Sequence, residues 1–148
     1  MEGYDKGDRA LIDQSIREAK DALAIDPSSV QALLALARTH ANALFLQMAA
    51  DQEHALREAT WAIARAIELD GTDAFGYALR GFVVLLSRQS DRYPAALADA
   101  HHAHEMNPND PMVLRFLAAL EATLGEPERA DRAFASSPAT EPAPVTQP

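Results

Sequence analysis

The 148-residue chain contains no cysteine, which excludes disulfides and thiolate metal sites and fits a reducing compartment, so a cytoplasmic location is expected. It shows no sustained alternation of apolar and polar residues, which argues against half-buried strands. Long apolar runs are missing too. The longest, such as ALFLQMAA at 43–50, fall well short of the about 20 residues that span a bilayer, so no membrane association is expected. The first ten residues, MEGYDKGDRA, are acidic and lack the apolar stretch of a signal peptide. Positive charge is scarce: 13 basic residues face 22 acidic ones, a net charge of -9. A surface of that sign repels a phosphate backbone, and nucleic acid is not an expected partner. A Gly-rich phosphate loop, a serine nucleophile elbow and an HExxH pair are all absent, so neither an enzyme nor a bound cofactor is expected.

What the chain has in abundance is alanine, 31 residues of it, the best helix former. The fold class is all-α. Residues 1–135 read as one helical domain, and 136–148, SSPATEPAPVTQP, as a disordered Pro-rich tail with too little apolar surface to order itself.

Three stretches align without gaps: ALAIDPSSVQALLALA at 22–37, AIELDGTDAFGYALRG at 66–81 and AHEMNPNDPMVLRFLA at 103–118. Each begins with a small residue (Ala22, Ala66, Ala103), and an apolar one follows three positions later (Ile25, Leu69, Met106). Asp or Asn then precedes Pro or Gly. A large residue comes next (Leu33, Tyr77, Leu114), and a small one closes the pattern (Ala37, Gly81, Ala118). Pro27, Gly71 and Pro108 stop one helix; Ser28 or Ser29, Asp73 and Asp110 are placed to cap the next, and Pro111 suits a first turn. The stops are 44 and 37 residues apart. Helix pairs repeating at 20–50 residues indicate a solenoid.

With these residues in register, the chain resembles a degenerate tetratricopeptide (TPR) array, whose period is about 34. Its second-helix pattern of small and bulky residues before a Pro is matched by Ala59, Ile63, Ala66 and Gly71, and by Ala96, Ala100, Ala103 and Pro108. A last copy runs from Leu114, Leu117 and Ala118 to Ala130 and Phe134. The resemblance implies a right-handed superhelix of about seven antiparallel helices. These are expected near 7–25, 30–49, 52–69, 73–87, 94–106, 111–124 and 126–135. The surplus in the 44-residue unit is expected to lengthen the two helices around FLQMAADQEH, and Arg80 departs from the apolar pattern of Leu36 and Leu117. An odd helix count leaves the first helix without a hairpin partner; it either caps the array, belongs to a longer protein, or dimerises. The linker phrases ELDGTD, MNPND and GEPERA are also similar to helical arrays at the carboxyl end of bacterial class III adenylate cyclases and related regulators, which implies a regulatory or docking segment.

In TPR proteins the first helix of each pair lines a concave groove. Helical periodicity then places Leu34 and Arg38, then Phe75, Ala78, Phe82 and Leu85, then Met112 and Arg115 on that face. The Lys, Asn and Arg that clamp a peptide carboxylate in some TPR proteins have Ala35, Phe75, Leu79, Met112 and Phe116 near their places, so that activity does not carry over. The surface expected is an apolar groove with two arginines, suited to a peptide or helix of a partner protein or of the parent protein. The alternatives are a homo-oligomerisation element, giving a homodimer, and a metal-binding helical protein. For the last, His101, His102 and His104 in HHAH are the weak candidate ligands, with no evident third and fourth donors.

Overall fold

The computed structural model describes residues 2–125, with side chains from 7 to 123. Among these, all regular structure is helical: α1 (Glu2–Ile25), α2 (Val30–Phe45), α3 (Gln52–Leu69), α4 (Ala74–Ser87), α5 (Tyr93–Met106) and α6 (Pro111–Leu120). A short 3-10 turn at Ser90–Arg92 leads into α5, and a wide π turn at Glu121–Gly125 extends α6. No helix is long and apolar enough to cross a membrane among the described residues. The expected seventh helix at 126–135, with Ala130 and Phe134, and the tail at 136–148 lie outside them.

The three repeated stops are real chain reversals. Helices break at Asp26–Ser29, Asp70–Asp73 and Asn107–Asp110. Ser29, rather than Ser28, caps α2 by accepting from the Ala32 N–H at 3.1 Å. Asp73 accepts from Phe75 and Asp110 from Met112 and Val113, while Asp51 caps α3 through His54. Each such cap satisfies amides that would otherwise lack partners.

Two helix ends differ most from expectation, the first being the start of α1, at Glu2 rather than near residue 7. α2 stops at Phe45 instead of running to 49, because Gln47 turns left-handed (φ 59°). Its N–H then donates to Leu44 and that of Met48 to Ala43, which closes the helix end with a Schellman pair of bonds. The long unit's helices are still the longer pair, 16 and 18 residues against 14 each for α4 and α5, so its surplus does lengthen them, while a connection at 46–51 separates them. A glycine would normally mark this stop; Gln47 carries no such signal.

α2 packs chiefly on α3, and α4 chiefly on α5, as antiparallel hairpins. α2, α4 and α6 also touch in sequence, so the first helix of each pair lies beside the next. The core is built from small residues on the second helices, Ala59, Ala62 and Ala66 on α3 and Ala96, Ala100 and Ala103 on α5, all at most 1% exposed. Larger side chains, Leu33, Leu36, Ile63 and Leu79, fill the spaces between them. Arg80, the departure from the apolar pattern, is half-buried and gives Asp99 of α5 two hydrogen bonds at 2.7 and 2.8 Å. α1 packs on α2 through Ile16, Ala19 and Leu23 and turns Asp13, Gln14, Arg17, Glu18 and Asp21 to solvent.

Candidate functional site

The face shared by α2, α4 and α6 carries a ladder of four phenylalanines. Phe45 and Phe82 have ring centroids 6.0 Å apart; Phe82 and Phe116 stack at 4.7 Å, and Phe116 and Phe75 at 6.0 Å. The ladder exists because hairpins bring α2, α4 and α6 side by side, and its rings sit 34 to 41 positions apart in the sequence. Offset aromatic pairs of this kind contribute about 0.5–1.5 kcal/mol each beyond their buried area.

The eight residues expected to line a groove divide into two groups. Leu34, Ala78 and Phe82 are buried and belong to the core; Ala78 and Phe82 line no cleft on this face, and Leu34 shows only an edge to one. The neighbouring helices already cover them. Phe75, Leu85 and Met112 are half-buried, while Arg38 and Arg115 are exposed. A cleft of about 510 Å³ runs between α2 and the start of α4, lined by Arg38, Phe75, Leu34, Asp70 and Asp73 among others. The Asp70 carboxyl is held below its ordinary range by hydrogen bonds from the Thr72 hydroxyl and N–H. Arg115 places Nη1 3.8 Å from the Met112 sulfur. Neither Arg38 nor Arg115 has a carboxylate partner among the described residues. Phe45, 63% exposed at the end of α2, and Leu46 extend the apolar surface and were not anticipated. Phe45 falls in an Ala/Leu-rich run whose period does not reveal which residue sits where the helix stops.

The histidines do not converge. Nε2 of His101 lies 3.3 Å from Glu121, the His102 ring packs edge-on against Tyr77 at 4.7 Å, and Nδ1 of His104 is buried. Among the described residues no group of three His, Asp or Glu side chains is placed to share a metal ion.

A different histidine is perturbed. His40 on α2 is 4% exposed, with Nε2 unpartnered, beside His54 at 6.1 Å between ring centroids. Burial pushes its pKa down, opposed by the nearby Glu58 carboxylate and assisted by His54 and Lys20. Glu58 is itself engaged by Lys20 at 3.1 Å, which joins α1 to α3. In the unfolded chain His40 takes up a proton near its ordinary value of 6.5, whereas the folded protein resists it. Stability is therefore fully present above about pH 6.5 and falls on acidification, by at most about 1.4 kcal/mol per pH unit from this group. Denaturant titrations from pH 7.5 to 5.5 are expected to show a shallower decline for His40→Leu than for the unsubstituted protein.

No protein-family model and no curated protein matches this chain.

Proposed function

We propose that the chain is a non-catalytic protein-interaction module, a TPR-like right-handed array of the regulatory kind. Its α2–α4–α6 face would take an amphipathic helix or extended segment of another protein or of its own parent. The observation that carries this reading is the pairing of exposed apolar surface with two arginines that lack carboxylate partners among the described residues, in a chain with 22 acidic residues. A solvated face of so acidic a chain has carboxylates to spare for its arginines. Here Arg38 shares a cleft with Phe75, and Arg115 lies against Met112. A partner with an apolar anchor and an adjacent Asp or Glu would satisfy both, since guanidinium pairs well with carboxylate. Hairpins in succession, small residues at the second-helix positions and first helices lying side by side support the TPR-like part of the reading.

The test is a peptide-display selection on the full chain. Enriched peptides are expected to combine aromatic or long aliphatic residues with nearby acidic ones. They should bind the Arg38→Glu/Arg115→Glu double variant about tenfold or more weakly, at unchanged helicity. Peptides that bind both proteins equally would overturn the reading.

A further inference from the structure

The other flank of α4 holds a second cleft of about 530 Å³, which shares no residue with the α2–α4–α6 face. Its apolar wall comprises Leu56, Ile63, Val83 and Val84, with Trp61 of α3 beside them at 54% exposure. Its charged lining is three arginines, Arg57, Arg80 and Arg92, and no carboxylate. That composition is opposite to the chain as a whole, where acidic residues outnumber basic ones by 22 to 13.

The guanidiniums are unequally engaged. Arg80 commits Nε and Nη2 to Asp99, which fixes its plane and leaves the Nη1 hydrogens without a bond to that carboxylate. Arg92 Nη1 donates to the neutral Gln89 side chain. Among the described residues, Arg57 has only a long contact, 3.9 Å, with the solvent-exposed Glu53 one turn away. The cleft thus presents an excess of positive charge over an apolar floor, and its volume falls in the range of small-molecule sites.

We propose that this cleft binds a small amphiphilic carboxylate. The apolar body lies against Trp61, Val83 and Val84, and the carboxylate is held among Arg57, Arg80 and Arg92. An uncharged molecule of the same shape forgoes the ion pairs and leaves the guanidiniums without a counter-charge.

Trp61 is the chain's single tryptophan, so its emission reports on this cleft directly. The experiment titrates the full chain with octanoate, and in parallel with octanamide, while following that emission. A saturable change is expected with octanoate, with an apparent Kd about tenfold or more below that of octanamide and rising with salt. In Arg57→Ala/Arg92→Ala, two exposed positions outside the core, helicity is retained and the preference for octanoate is lost. Calorimetry on Trp61→Phe should still register binding. Equal responses to octanoate and octanamide, no saturable response to either, or an unaltered preference in the double variant would overturn the proposal. None of these outcomes bears on the α2–α4–α6 face.

Discussion

Gly81→Ala lowers the stability of the protein by about 3 kcal/mol, the upper end of typical overpacking costs. A Cβ at this position would stand 2.6 Å from the Ala96 carbonyl oxygen and 3.2 Å from a Leu120 methyl. The first of these is backbone, which cannot swing aside, so α4 and α5 must separate. In a chain of this size the midpoint of thermal unfolding should fall by about 10 °C. Two other glycines serve as internal controls. At Gly76, also on α4, a Cβ would meet the Ile67 side chain at 3.4 Å, and at Gly7 it would meet nothing within 4 Å. Helix propensity alone favours alanine over glycine by about 1 kcal/mol at all three positions. Gly76→Ala and Gly7→Ala should therefore be neutral or mildly stabilising, and only Gly81→Ala should reverse sign. Differential scanning fluorimetry of the three variants is sufficient. If Gly81→Ala melts with the others, the close contact of α4 with α5 is not as described.

Leu33→Ala should cost about 3–4 kcal/mol, whereas Leu114→Ala, at the aligned position 81 residues later, should change stability by no more than about 0.5 kcal/mol. Leu33 is fully buried, because α2 is embraced by α1, α3 and α4. Leu114 is 42% exposed, and α6 touches only α4, α5 and its own π-turn extension among the described elements. Removing three carbons from the first site leaves a cavity that packed neighbours fill only in part; at the second site water replaces them. Denaturant melts of the two variants measure the difference directly. Equal costs would mean that the two helices are covered equally.

The contrast between Leu33 and Leu114 also shows where the sequence was and was not legible. Chain reversals could be read, because Asp-Pro, Asp-Gly and Asn-Pro stop helices whatever surrounds them, and Ser29, Asp73 and Asp110 act on amides two or three residues away. The small residues of α3 and α5 could be read as well, since close helix packing leaves little choice of size. Burial of a given large residue could not, because it depends on how many neighbours a helix has. Periodicity puts Leu34, Ala78 and Phe82 on the same face as Phe75 and Met112, yet Ala78 packs in a separate cluster with Ala103 and Val113. It carries no signal for how deeply the adjacent helices sink the first three. The end of α2 was missed for a local reason, a left-handed residue that is Gln47 rather than glycine. The second cleft was missed for a non-local one. Arg57, Arg80 and Arg92 come from different elements; Arg80 stands out in its helix only as a departure from the apolar pattern, and nothing local joins it to the other two.

Selective labelling of phenylalanine offers the shortest route to the arrangement itself, since the chain has only five such rings. An aromatic NOE spectrum should show an unbroken relay from Phe45 to Phe82, to Phe116 and on to Phe75, linking residues of three helices. A relay interrupted between Phe116 and its two partners on α4 would contradict the side-by-side placement of these helices, and the proposed docking face would no longer exist.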